Sequence, residues 1–191
     1  IEIVKTPFPE DSLALLTSLV TGEDHLTHGV AGHSWKSEYL SVQAFDSNGQ
    51  SQVPNIADRI SHNSQGAART FVFGGNNKIA SAMGVHAELV QKNPDWNSQV
   101  LHYSKKHGIV NTVTKQPVVE FHAIKEAAKS RRMRLETAEG FLLAAELYAI
   151  ENLHTLIGTT GSSDMDFIAV GITSIKALSL HYGTESTQVQ A

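Results

Sequence analysis

The chain has 191 residues, 41% of them hydrophobic and 18% charged, with a formal net charge of -4. That length suits one domain over 1–191 with enough chain to bury a core, and the negative balance excludes nucleic-acid binding by bulk electrostatics. The chain has no cysteine, which excludes disulfides, zinc-thiolate sites and a cysteine nucleophile and fits a reducing compartment. No apolar run approaches membrane-spanning length and no signal-peptide pattern opens the chain, so a soluble, cytoplasmic protein without a membrane span is expected.

Taken in chain order, "IEIV" (1–4) reads as a first strand. "PEDSLALLTSLV" reads as a helix with Pro9 at its start and Glu10 and Asp11 in its first turn, where the helix dipole favours acids. The histidine- and glycine-rich stretch 23–35 reads as irregular, 38–45 as a strand, and "DSNG" (46–49) as a turn. A short helix ending at Gly66 is expected next. "RTFVF", "GGNN" and "KIASAMGVHAEL" read as a hairpin around a Gly/Asn turn. "NPDW" suggests a turn, "GIVNTV" a strand and "PVVEFHAI" (117–124) a buried strand. Ala138, Phe141, Leu142, Ala145 and Ala149 share one face of a helix over 137–151, with Thr137 as its N-cap. "HTLIGTT" (154–160) reads as a strand. "DFIAVGITSIKALSLHYG" reads as one helix, or as a strand and then a helix. The class this order predicts is mixed α/β, with a mixed central sheet flanked by helices.

The stretch "PVVEFHAIKEAAKSRRM" carries a chemical hypothesis. A strand runs into a basic turn, and a long helix follows. Free N–H groups at that helix start would attract an anion, and Arg131, Arg132 and Arg134 would add charge-assisted contacts to a phosphate. The bland alternative is a solvated basic turn between two core elements.

This order (strand, basic turn, helix, strand, helix, then Tyr182-Gly183) resembles the second half of the GNAT-fold N-acyltransferases. "IEIVKTPFPEDSLALLTSL" resembles their first strand and helix, and the hairpin at 69–89 their central antiparallel strands. "VVEFHAI" and "GFLLAAELYAI" are similar to segments of the acyl-homoserine-lactone synthases, which share the fold. The resemblance implies transfer of an acyl group from an acyl-CoA or acyl-carrier-protein thioester to a small-molecule or protein amine, without a metal. It further implies Glu120 as base, Tyr182 as the acid that protonates the leaving thiolate, and Phe121, His122, Ala123 and Ile124 as the edge that binds pantetheine. Arg131, Arg132 and Arg134 would grip the pyrophosphate. The turn "SRRMRL" contains no glycine, which leaves open a carrier-protein donor, or an inactive binding or effector module on the same fold.

Other constellations compete. "AGHSW" resembles the nucleophile elbow of the α/β-hydrolases, and "GHSW" is similar to a papain-type Gly-x-Cys-Trp with serine in place of cysteine and His122 as base; either implies a serine-type hydrolase with Ser34 as nucleophile. His25, His28 and His33 could gather a metal, although Gly29 and Gly32 favour surface loops. "GVHAEL" echoes the zinc deaminases, whose cysteine ligands this chain lacks. "SSDMDF" echoes a magnesium-binding Asp-x-Asp, and Ser174 a carrier-protein serine.

Overall fold

The computed structural model describes residues 11–37, 40–46, 50–133, 137–157 and 167–174. The expected first strand (1–4), Arg134 and Tyr182 lie outside the described residues. The fold is mixed α/β. A five-stranded sheet has the order β6-β5-β4-β3-β7, and a separate two-stranded hairpin pairs β1 (Ser34–Ser37) with β2 (Leu40–Gln43). In the large sheet β3 (Thr70–Gly74), β4 (Ser98–Ser104) and β7 (Phe167–Gly171) are parallel. β5 (Gly108–Asn111) and β6 (Pro117–Val119) add two antiparallel pairings at one side.

Strand alternation divides the core between the two faces. Phe71, Phe73, Leu101, Tyr103 and Ile109 point to one face, where they meet α6 (Phe121–Ser130) and α7 (Ala138–Glu151). Val72 and Val100 point to the other, where they meet Leu16 and Val20 of α1 (Ser12–Thr21) and Ile79, Ala80 and Met83 of α4 (Asn77–Met83). Every residue of β3 is buried, as expected of a strand covered on both sides. At ~25 cal/mol per Å² of apolar surface removed from water, these two layers supply the main driving force for folding.

Several expectations are corrected. The first described helix begins at Ser12, and Asp11 caps it by accepting the Leu13 and Ala14 amides, so Asp11 is its N-cap and not part of its first turn, while Pro9 and Glu10 lie outside the described residues. The expected 69–89 hairpin is instead β3 followed by α4 and α5 (Ala87–Lys92). Asn76, read as a turn residue, is the N-cap of α4, with its side chain accepting the Ile79 N–H at 3.0 Å. The buried strand expected at 117–124 ends at Val119, and Phe121 to Ile124 are the first turn of α6. Phe121, Ile124 and Ala128 pack into the core at helical spacing, so the helix period wins over a short apolar run that fitted either pattern. Leu153–Ile157 form a short helix, α8, where a strand was expected.

Other expectations agree with the structure. α7 starts at Ala138 behind Thr137, whose hydroxyl accepts the Gly140 N–H at 3.1 Å. A helix, α3 (Ile56–Asn63), precedes Gly66, and β5 covers the start of "GIVNTV". At 167–174 a strand is followed by a helix start.

Two features fix the geometry around the sites. Phe121 and Phe141 stack with centroids 5.1 Å apart, and Arg131 pairs with Glu151. α6 and α7 therefore lie side by side and parallel, start to start and end to end. Across the sheet edge, the buried Glu146 carboxylate of α7 accepts the Thr173 N–H (2.7 Å), the Thr173 hydroxyl (2.8 Å), the Ser174 N–H (3.1 Å) and the Ser174 hydroxyl. Gly75 lies against this knot. A Cβ there would stand 1.9 Å from Thr173 Oγ1, so only glycine fits. No helix among the described residues is long and apolar enough to cross a membrane.

Candidate active site

The residues singled out in the sequence scatter. Glu120, His122 and Ala123 line one shallow groove of about 470 Å³ together with Val118, Tyr148 and Thr155. Glu120 occupies the N-cap position of α6 without capping it, and both Glu120 and His122 are exposed. Phe121 and Ile124 turn away into the core, so 121–124 present no strand edge to a pantetheine arm. Arg131 closes α6 rather than opening α7. Its guanidinium bonds Glu151 and the Ala127 carbonyl, near the negative ends of both helix dipoles. Arg132 is exposed beside it with φ 56°.

Ser34 begins β1 on the α1/α4 side, with the sheet between it and His122 on α6. His33, its neighbour, pairs with Asp11 at 2.9 Å. His28 is fully buried. Its Nδ1 accepts the Val30 N–H, so Nε2 carries the proton and donates to Ser18 Oγ at 2.9 Å. That tautomer cannot deprotonate Ser18, and burial lowers the affinity of this imidazole for a second proton. Among the described residues no three His, Asp or Glu side chains gather to hold a metal. The Ser174 hydroxyl is buried on Glu146 and closed to modification.

A different constellation is assembled from α3, α4 and the loop to α5. Asn55 and Asp58 form a capping box at the start of α3. The Asn55 side chain accepts the Asp58 N–H and the Asp58 carboxylate accepts the Asn55 N–H, both at 2.9 Å. The Asn55 amide also donates to the Ala82 and Gly84 carbonyls at 3.2 and 2.7 Å. The start of α3 is thereby fastened to the end of α4. Gly84 lets the connection lie flat on the sheet, since a Cβ there would stand 2.5 Å from Val100 Cγ2. His86 follows. The Asp58 carboxylate accepts its backbone N–H at 2.8 Å and lies 2.9 Å from its Nδ1.

This arrangement fixes the imidazole. A buried carboxylate accepts and does not donate, so Nδ1 carries the hydrogen and Nε2 of the neutral ring holds a lone pair. His86 Nε2 is buried and has no hydrogen-bond partner. Leaving a buried polar atom unpaired costs about 1–3 kcal/mol, and such an atom calls for a reason.

His86 borders a cavity of about 180 Å³ that also reaches Asp46, Asn77, Ser81, Val100, Thr112 and Lys115, so its wall carries both an acidic and a basic side chain. Asn77 and Ser81 are one turn apart on the same face of α4, and Asn77 Oδ1 is also buried without a partner. Two wall residues, Phe45 and Lys115, hold positive φ values of 54° and 60°, a conformation costly for side-chain-bearing residues and concentrated at functional sites. Behind Thr112, His102 Nδ1 lies 3.0 Å from the threonine hydroxyl. Burial and the Lys115 charge push the His102 pKa down to about 4, so it is neutral near pH 7.

In the sequence, His86 stood only in the zinc-deaminase echo. Its signal is the Asn55-x-x-Asp58 capping box, yet the partnership with His86 spans 28 residues and is made only by the fold. No protein-family model matches the chain, and no curated protein matches it.

Proposed function

We propose that the protein is an acyl-transferring enzyme, a hydrolase of esters or thioesters, with His86 as its general base. The observation that carries this reading is the buried, unpartnered Nε2 of His86 behind an Nδ1 held by Asp58. Nε2 takes a proton from a water molecule as the water oxygen bonds to the substrate carbonyl carbon. The imidazolium then returns the proton to the leaving oxygen or sulfur as its bond to that carbon breaks. The products are the free acid and the protonated leaving group, and the histidine ends as it began. Asp58 touches no reacting atom. It positions the ring, selects the tautomer and stabilises the imidazolium. The Lys115 ammonium and the Asn77 amide line the cavity beside His86 and would face negative charge developing on the carbonyl oxygen. An amine in place of water would give the N-acyl transfer that the GNAT resemblance implies, by the same proton path.

Turnover of 4-nitrophenyl esters and acyl-CoA thioesters by the wild type and by His86→Gln tests this. Hydrolysis that falls by roughly 10²–10⁴ in the variant supports it. Equal rates, or no turnover of either class by the wild type, oppose it.

A further inference from the structure

The two edges of the five-stranded sheet are built differently. β6 is blunted: it has three residues, Pro117 has no N–H to offer, and its pairing with β5 shifts register at Ile109/Val110. Short strands, proline and bulges keep a further strand from adding to an edge. β7 is the other edge among the described residues, and it carries none of these devices. It runs for five residues without proline, and residues 167–174 hold no charged side chain. The Phe167 N–H is given to the Arg69 carbonyl, on the β3 side. Because successive residues alternate, Ile168 and Val170 turn their N–H and C=O groups to the outer edge. Ile168 and Ile172 are 44% and 50% exposed. Ile150, one turn beyond Glu146 on the side of α7 that reaches Thr173, is exposed as well.

We propose that this edge is a homodimer interface, in which β7 pairs antiparallel with β7 of a second copy about a two-fold axis through Val170. Ile168 and Ile172 stand at equal distances along the chain on either side of Val170. An axis there sets Ile168 opposite the partner's Ile172. It also brings the outward N–H and C=O groups of Val170 against those of the partner's Val170. The exposed isoleucines then cover each other, and the open edge groups gain hydrogen-bond partners. The occupant is a second copy because the strip is uncharged and self-complementary. A chain of net charge -4 meets itself here without a like-charge pair, and a two-fold needs the same patch on both partners. The dimer uses the β7 edge of both copies and leaves only the blunted β6 edges outside, so association closes there.

The test is the mass of the full chain in solution, by sedimentation equilibrium over a concentration series. The wild type should be a dimer. Ile168→Lys and Ile172→Glu, both at exposed positions, should each shift it to monomer, since each sets a charge against an isoleucine. The double variant Ile168→Lys/Ile172→Glu should recover the dimer, because each introduced lysine then meets an introduced glutamate across the axis. Circular dichroism melts check that every variant is folded. Val170→Cys reads the axis itself. The chain has no cysteine, so a disulfide can only join two copies at this position, where the Cα atoms would stand about 5.5 Å apart. Oxidation should give a covalent dimer of Val170→Cys. Leu19→Cys, at a position 80% exposed on α1, should cross-link far more slowly. A wild type that is monomeric at every concentration overturns the proposal. So does a dimer unmoved by both single variants, or a Val170→Cys protein that cross-links no faster than Leu19→Cys.

Discussion

The carboxylate of Asp58 holds His86 twice, by the backbone N–H at 2.8 Å and by the ring Nδ1 at 2.9 Å. A single side chain thus sets both where the residue sits and which ring nitrogen is left free. Asp58→Asn keeps an oxygen for the His86 N–H but turns its NH2 towards the Asn55 N–H, so it should cost about 1–3 kcal/mol, while that amide can donate to Nδ1 and stabilise the opposite tautomer. Turnover should drop by roughly 10²–10⁴ with KM little changed. Asp58→Ala should in addition destabilise the protein by about 2–4 kcal/mol, because the Asn55 and His86 amides lose their acceptor. Denaturant unfolding beside steady-state kinetics separates the two effects.

Glu146 is the polar anchor on the opposite side of β3. Its carboxylate collects two amides and two hydroxyls from Thr173 and Ser174. Glu146→Ala should cost about 3–5 kcal/mol, since it leaves the buried Ser174 donors and the half-buried Thr173 donors without their acceptor. Glu146→Gln keeps one accepting oxygen and should cost about half as much. Urea midpoints at constant m check both values.

His102 gives a pH dependence of known sign. Its folded pKa is about 4, against an ordinary 6.5, through burial and then the Lys115 charge. Between those values the unfolded chain binds the extra proton and the folded protein does not. The contribution is therefore complete above pH ~6.5 and lost as pH falls towards 4. His28 is displaced in the same direction by burial and adds to the slope. In His102→Gln the fall in melting temperature from pH 7 to 4.5 should be shallower than in the wild type.

The Arg131–Glu151 pair is exposed on both sides. Arg131→Ala should change stability by less than about 1 kcal/mol. Because Arg131 sits at the carbonyl ends of two helices, CoA should raise the melting temperature of Arg131→Ala and of the wild type equally, or of neither. A shift confined to the wild type would restore the phosphate grip expected from the sequence.

What the sequence made legible follows from the range of the interactions involved. α7 was readable to the residue, because Thr137 and the Ala138, Phe141, Leu142 and Ala145 spacing act within a few turns. The mixed α/β class was readable from the alternation of elements. β3 followed by α4 was misread because "GGNN" suits a hairpin turn as well as a helix start. The fold decided between them by burying β3 on both faces. Phe121 to Ile124 were misread because "VVEFHAI" satisfies both periods until Ile124 and Ala128 are seen packing on one side. The active-site reading depended on these elements. Glu120 moved to an exposed N-cap position, and the pairing that orients a histidine joined residues 58 and 86, which no local pattern links.

The most direct test is the tautomer of His86, read from its imidazole ¹⁵N chemical shifts in the labelled protein near neutral pH, with His86→Gln used to assign the signals. The account predicts that the uncharged ring carries its hydrogen on Nδ1 with Nε2 free, and that Asp58→Asn reverses that preference. A proton on Nε2 with Nδ1 free in the wild type would contradict it, because Nε2 would then be a donor and could not take a proton from a nucleophile.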